Sequence, residues 1–105
     1  MAKSVNELYN ELKNNEEIFL KYLHEQYPVI YRSNIFLRDI QYAIKHYFEM
    51  KDIILSYDYV EEIAKMFIDS LVQEKKLSPI DHKTWVVNFD LNEKETVTET
   101  QEAGN

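Results

Sequence analysis

Hydrophobic residues between positions 57 and 76 recur at helical spacing. When the residues are placed at about 100° each, apolar side chains fall on one arc and charged ones on the opposite arc. The apolar arc comprises Val60, Ile63, Ala64, Phe67, Ile68 and Leu71, and the polar arc comprises Glu62, Lys65, Asp69, Gln73 and Lys76. Asp58, with Glu61 three residues later, matches a capping box at the start of this stretch. The pattern predicts an amphipathic helix over residues 57–76.

After residue 77 the pattern changes from a helical period to a period of two. Residues 78–83 are turn-prone and include Pro79, which cannot donate a hydrogen bond to a sheet. Apolar and less apolar side chains then alternate in the order Thr84, Trp85, Val86, Val87, Asn88 and Phe89. Such alternation is typical of a strand with one buried face. We therefore predict a β-hairpin over residues 77–90, with Trp85 closing the core.

A second amphipathic stretch occupies residues 4–27. It begins with a capping-box pattern at Ser4 and Glu7, and its apolar side chains stay in one helical phase. These side chains are Val5, Leu8, Tyr9, Leu12, Phe19, Leu20, Leu23 and Tyr27. A straight helix of this length would span about 36 Å, whereas a domain of this size has a radius of gyration of about 13 Å. The helix must either break, with residues 14–15 as the break point, or pair with another chain, and the pattern leaves both open.

Residues 28–55 contain another predicted helix between two connecting segments. Pro28 ends the preceding helix, because proline disfavours helical geometry at the residue before it. The β-branched segment 29–31 is a candidate strand. Ser33 or Asn34 can cap a helix over residues 34–50. The predicted buried arc of that helix comprises Phe36, Leu37, Ile40, Ala43, Ile44, Tyr47 and Phe48, and an apolar connector at 53–55 is expected to pack inward.

Charge and composition limit the class of protein. The 105 residues carry a net charge of −7, of which −4 lies in residues 90–105, and this opposes non-specific binding to nucleic acid and anionic membranes. Residues 92–105 lack periodicity and apolar content, so we predict a single domain over residues 1–91 followed by a disordered acidic tail. Gly104 is the only glycine. Turns in the domain that need a positive φ are therefore expected to use Asn or Asp, or to be avoided.

The absence of cysteine and of long apolar segments limits the covalent chemistry of the chain and indicates its compartment. There is no cysteine, so no disulfide or thiolate metal site can form. Residues 1–6 lack the apolar run of a signal peptide. No stretch approaches the ~20 apolar residues of a membrane span. We expect a cytoplasmic protein that does not enter a membrane.

The order of predicted elements is helix, short strand, helix, helix and two-stranded hairpin. This order resembles the winged-helix superfamily, and the matching segments are residues 15–27, 29–31, 34–50, 57–76 and 77–90. The resemblance implies an α+β, mainly helical fold with a three-helix core, a small antiparallel sheet and residues 1–14 as an extra N-terminal helix. Winged helices serve either as DNA readers or as protein-docking modules, so the function must be inferred from surfaces.

Catalytic and metal-binding patterns are missing from the sequence. His24, His46 and His82 lie far apart, and none has the spacing of a helical metal site. No glycine-rich phosphate loop or G-x-S-x-G motif occurs. The adjacent carboxylates Glu16 and Glu17 diverge on a helix and do not form an acid/base pair. We expect no enzymatic activity, no metal and no cofactor.

Nucleic-acid binding is disfavoured by the helix that the resemblance would place in the major groove. Asp58, Glu61 and Glu62 lie in the first turns of that helix, where phosphates would approach. A more favourable surface for a protein partner lies on and before the helix over 34–50, since Arg and Tyr are enriched at interfaces. The candidate partner-binding residues are Arg32, Arg38, Tyr42, Lys45 and His46. Asp39 and Glu49 neutralise part of this charge, so an ordinary solvated face is the alternative.

Self-association is the other interaction that the pattern suggests. The stripe Val5, Leu8, Tyr9 and Leu12 lies outside the winged-helix unit, and apolar stripes in water are unfavourable. Two N-terminal helices could pair across a twofold axis, or the stripe could fold back after a break at residues 14–15. We expect a non-enzymatic, dimeric protein-interaction module. The alternative is a DNA-binding transcriptional regulator that presents Arg32, Arg38 and Lys45.

Overall fold

The computed structural model describes residues 3–27 and 29–89. In chain order these residues form the helices α1 (Val5–Asn14) and α2 (Glu16–Gln26), the strand β1 (Asn34–Phe36), the helices α3 (Leu37–Glu49) and α4 (Tyr57–Gln73), and the strands β2 (Leu77–Asp81) and β3 (Thr84–Val87). The predicted α+β, mainly helical class is confirmed. The tail predicted for residues 92–105 lies outside the described part of the chain.

The N-terminal stretch breaks at Asn15, and α1 folds back onto its own chain. The capping box predicted at its start is present: Glu7 N–H donates to Ser4 Oγ at 3.2 Å, and Ser4 N–H donates to Glu7 Oε1 at 2.9 Å. α1 packs mainly against α4. Its two inward side chains, Leu8 and Leu12, are only 1% and 0% exposed.

This packing corrects the basis for predicted self-association. Of the four stripe residues, Leu8 and Leu12 are fully buried inside one chain, and Val5 and Tyr9 are partly buried against the same core. The stripe is therefore covered by α4, which was the alternative that the sequence left open. The break relieves the problem of length, because two short helices pack on one domain where a long one would overhang.

The apolar arcs predicted for α3 and α4 form the centre of the core. Ile40, Ala43, Ile44, Tyr47 and Phe48 of α3 are buried, as are all six predicted residues of α4. Phe19 of α2 joins the two helices through edge-to-face ring contacts, with centroids 5.3 Å from Tyr47 and 5.2 Å from Phe67. Such ring geometry is the favoured one for aromatic pairs. Three helices thus meet at one aromatic centre.

The sheet has the strand order β1-β3-β2, and both pairings are antiparallel. Trp85 lies on β3 opposite Ile35, and both side chains are buried. The predicted hairpin is confirmed, with β2 and β3 as its strands. The first strand of the hairpin, β2, also contacts α4, which places the sheet against one end of the helical core.

The first strand was predicted at the wrong position. Residues 29–31 lead into a turn instead, because Arg32 has a φ of 73° and Ser33 N–H donates to Ile30 O at 2.9 Å. The strand follows this turn, at Asn34–Phe36. Residues 34–36 are therefore not helical, and Phe36, which was predicted to be buried, is half exposed. Helix α3 begins directly after the strand, at Leu37, without a side-chain cap.

Both long helices end in a hydrogen-bond pattern that usually needs glycine. After α4, Lys75 N–H donates to Val72 O and Lys76 N–H donates to Leu71 O, which is a Schellman motif with Lys75 at φ 65°. Asp52 has the same role after α3, at φ 64°. Positive φ was expected only at Asn or Asp, which is correct for Asp52 and wrong for Lys75 and Arg32.

The start and end of α4 also differ from the prediction. Its N-cap is Ser56, whose Oγ accepts from Tyr59 N–H at 3.3 Å, and not Asp58. The helix ends at Gln73, three residues earlier than predicted. In the connector before it, Leu55 is buried as expected, whereas Ile54 is 78% exposed. None of the described helices is both long and apolar enough to span a membrane.

Candidate functional site

A groove of about 560 Å³ opens between the N-terminal halves of α3 and α4 and the β2–β3 turn. We name it the aromatic groove. It is lined by Phe36, Leu37, Arg38, Asp39, Gln41, Tyr42, Tyr57, Glu61 and Lys83. Four separate elements contribute these side chains, so the groove exists only in the folded chain.

Three large aromatic side chains in this groove are turned toward solvent. Phe36 is 49% exposed, Tyr42 is 49% exposed and Tyr57 is 69% exposed. Phe36 follows the inward-facing Ile35 on β1, so the alternation of the strand turns it outward. Tyr42 lies on the outer face of α3, and Tyr57 is the first residue after the N-cap of α4. Apolar side chains grouped at one surface indicate a binding site, and Tyr and Phe are enriched in interfaces.

Charged side chains at the groove are balanced in sign. Arg38 and Lys83 provide positive charge, and Asp39 and Glu61 provide negative charge. A phosphate-binding surface needs an excess of positive charge, which this groove does not have. The arrangement suits a partner that carries apolar side chains together with both kinds of charge.

The five residues predicted for partner binding do not lie together in the structure. Arg38 and Tyr42 line the aromatic groove. Lys45 and His46 lie one turn further along α3, and their side-chain nitrogens are 2.9 Å and 3.1 Å from the carboxylate of Glu49. These two hydrogen bonds hold the pKa of the Glu49 carboxyl below its usual range.

Arg32, the fifth predicted residue, lies in the turn before β1. Its guanidinium carbon is 5.3 Å from the centroid of the Tyr31 ring, a cation–π contact with a neighbouring side chain. The DNA-binding alternative required one basic surface made of Arg32, Arg38 and Lys45. These three side chains instead have three different surroundings. One of them, Lys45, is paired with a carboxylate.

Of the nine side chains that line the groove, only Arg38 and Tyr42 were predicted to bind a partner, and the residues that were missed include Phe36, Tyr57 and Lys83. The predicted helix over residues 34–50 places Phe36 on its buried arc. Reading Asn34, Ile35 and Phe36 with a period of two would have turned Phe36 outward. Tyr57 and Lys83 carry no local signal, since contacts between distant parts of the chain bring them to the groove. The turn that carries Lys83 is held at the start of α3, where Leu37 N–H donates to Lys83 O at 3.0 Å.

A charged cluster lies at the opposite end of α4. Lys13 Nζ donates to Ser70 Oγ at 3.0 Å and to Glu74 Oε2 at 2.7 Å, and Glu16 accepts from both Lys13 and Lys76. Burial raises the pKa of the Glu16 carboxyl, but the bonds from Lys13 and Lys76 outweigh it, so the pKa is lowered. Burial likewise opposes the charge on Lys13, and Glu16 and Glu74 reverse this and raise its pKa. Opposite charges satisfy one another in this cluster, so it clamps α1 and α2 to α4.

The outward face of α4 is acidic. Asp58, Glu61, Glu62 and Asp69 are exposed on it, with Lys65 among them. This distribution agrees with the arc read from the sequence and repels a phosphate backbone. Within residues 3–27 and 29–89, no group of three or more His, Asp or Glu side chains is placed to hold a metal ion.

No protein-family model matches this chain, and neither a curated protein nor a solved structure matches it.

Proposed function

We propose that this chain is a non-enzymatic protein-docking module of winged-helix type and that its partner binds in the aromatic groove. The observation that carries the proposal is the grouping of Phe36, Tyr42 and Tyr57, all about half exposed or more, around one groove. Aromatic anchors of this kind contribute most of the energy at protein interfaces. The order α2, β1, α3, α4, β2, β3 supports the winged-helix part of the proposal, since it is the element order of the resemblance.

Charge supports docking to protein in preference to DNA. The groove carries two acids and two bases, and the exposed face of α4 carries Asp58, Glu62 and Asp69. Protein interfaces use complementary charges of both signs for specificity. DNA contacts depend on an excess of Lys and Arg.

The test compares three forms of the full chain as affinity baits in extracts of the organism that encodes it. The forms are the wild type, the groove variant Tyr42→Ala/Tyr57→Ala, and the control variant Ile18→Ala/Ile54→Ala. The control removes exposed apolar side chains outside the groove, since Ile18 is 60% exposed on α2. We expect a protein that is captured by the wild type and the control but not by the groove variant.

The captured protein is then purified and titrated with each form by calorimetry. Loss of two anchors should weaken binding at least about tenfold, the equivalent of ~1.4 kcal/mol. A parallel titration uses fluorescently labelled duplex DNA at low salt. Equal capture by all three forms, or salt-sensitive binding to the duplex, would contradict the proposal.

A further inference from the structure

The corner between α1 and α2 consists of a single residue, Asn15, with φ −114° and ψ 34°. Helical hydrogen bonds continue on both sides of it. Asn15 N–H donates to Glu11 O at 3.3 Å and to Leu12 O at 3.1 Å, and Phe19 N–H donates to Asn15 O at 2.9 Å. A change of this one residue to helical values of about −63° and −42° would join α1 and α2. The result would be one helix over residues 5–26, about 33 Å long.

The bent form is held by contacts between α1 and α4. Straightening would expose Leu8 and Leu12, which are buried in the bent form, and would separate Lys13 from Ser70 and Glu74. A second copy of the chain can restore each of these contacts, because its own α1 presents the same side chains to the vacated face of α4. Exchange of an identical element between two copies is a low-cost route to a dimer.

The sequence of α1 suits such an exchange. The capping box at Ser4 and Glu7 satisfies its first N–H groups, so its start remains capped when it leaves α4. The bend itself has a local lock, since Asn15 Nδ2 donates to Glu11 O at 2.9 Å. Side chains that bond to the nearby backbone in this way compete with a continuous helix.

We propose that two copies of this chain exchange their α1 helices by straightening at Asn15, forming a twofold dimer in which each α1 packs on the α4 of the other copy. None of the side chains that line the aromatic groove belongs to α1, so each copy in the dimer presents its own groove. The exchange is independent of what the groove binds.

Two variants at position 15 test the exchange in the full chain. Asn15→Ala removes the side-chain lock and favours helix, whereas Asn15→Gly removes the same lock and disfavours helix. Light scattering after gel filtration, at concentrations up to about 1 mM, should show a dimer fraction that rises with concentration. We expect the dimer fraction to be largest for Asn15→Ala, intermediate for the wild type and smallest for Asn15→Gly.

A zero-length cross-link distinguishes exchange from other modes of dimerisation. A carbodiimide can join Lys13 and Glu74 as an amide, because the two charged groups are 2.7 Å apart. Copies labelled with ¹⁴N and ¹⁵N are unfolded together, refolded at high concentration and cross-linked. The Lys13–Glu74 peptide from the dimer should contain both isotopes in the proportion of random pairing, and the peptide from the monomer should contain one. A wild type that stays monomeric throughout, or a dimer whose Lys13–Glu74 peptide carries a single isotope, overturns the proposal.

Discussion

Lys13 of α1 and Glu74, which follows the last turn of α4, lie 61 residues apart in the chain, and their side chains form an ion pair of 2.7 Å. Glu16 completes the arrangement by accepting from Lys13 and Lys76. The side chain of Glu16 is only 14% exposed, so these charges are partly shielded from water. This cluster fixes the corner between α1 and α2 on the rest of the domain.

Replacement of Glu16 by Gln should destabilise the fold by about 1–2 kcal/mol. The value lies below the ~3–5 kcal/mol that breaking a fully buried pair costs, because this cluster is only partly buried. The substitution removes the more buried of the two carboxylates that pair with both Lys13 and Lys76, and leaves them only Glu74, at 2.7 Å and 3.5 Å. Urea unfolding followed by circular dichroism measures the difference, and Glu62→Gln, on the exposed face of α4, is the control for loss of charge. Equal stability of the two variants would contradict a clamp at Glu16.

The same cluster predicts a pH dependence. The pKa of Glu16 is lower in the folded chain than its ordinary value of 4.5, so its charge stabilises the fold above that pH. The contribution is lost as the pH falls below 4.5 through the folded pKa. Thermal unfolding between pH 7 and pH 3 should therefore show a smaller acid-induced loss for Glu16→Gln than for the wild type. If the wild type and Glu16→Gln lose thermal stability in parallel as the pH falls, Glu16 is not responsible for the acid-induced loss.

Leu12→Ala should destabilise the chain by ~2–5 kcal/mol, the range for deletion of a fully buried leucine side chain. Leu12 is 0% exposed, whereas Ile54 is 78% exposed. Ile54→Ala is therefore the matched control and should change the free energy of unfolding by less than about 0.5 kcal/mol. A small effect of Leu12→Ala in urea unfolding would mean that α1 does not pack on the domain.

Lys75→Gly should stabilise the chain by about 1 kcal/mol. Lys75 has a φ of 65°, and a left-handed conformation costs a residue with a Cβ ~1–2 kcal/mol, part of which glycine loses again as conformational entropy. Lys75→Ala is the control, because it removes the charged side chain and keeps the Cβ. The two variants should separate in urea unfolding, with only the glycine form above the wild type. No difference between them would contradict the strain assigned to this position.

Substitution of the groove tyrosines should leave the fold almost unchanged. Tyr42 and Tyr57 are half exposed or more, and exposed side chains contribute little to stability. Tyr42→Ala and Tyr57→Ala should each shift the free energy of unfolding by about 0.5 kcal/mol or less. A larger loss would mean that these rings serve the fold, and a change in binding could then not be assigned to docking.

The sequence predicted the elements whose signal is local. The buried arcs of α3 and α4 follow from helical spacing, and Trp85 was placed on a strand by alternation alone. The break near Asn15 was one of two open possibilities, because apolar phase continues across it. What decides between them is the packing of Leu8 and Leu12 on α4, a contact between distant parts of the chain.

The errors fall where distant contacts override local pattern. Residues 34–36 fit a helix by spacing but pair with β3, as in Ile35 opposite Trp85, and sequence propensity does not report such pairings. For the same reason, the candidate site was only partly predicted from the sequence. Arg38 and Tyr42 share one face of α3 and could be found together, whereas Lys83 reaches the groove only through the hairpin.

Site-specific photo-crosslinking shows whether a protein partner docks at the aromatic groove. A benzophenone amino acid replaces Tyr57 or, in a matched variant, Ile54, two exposed positions on either side of Ser56. Each variant of the full chain is produced and irradiated in cells of the organism that encodes the protein. We expect a discrete covalent adduct with another protein from position 57, lost when Tyr42→Ala is added, and none from position 54. An adduct from position 54 alone, or no adduct from position 57, would contradict docking at the aromatic groove.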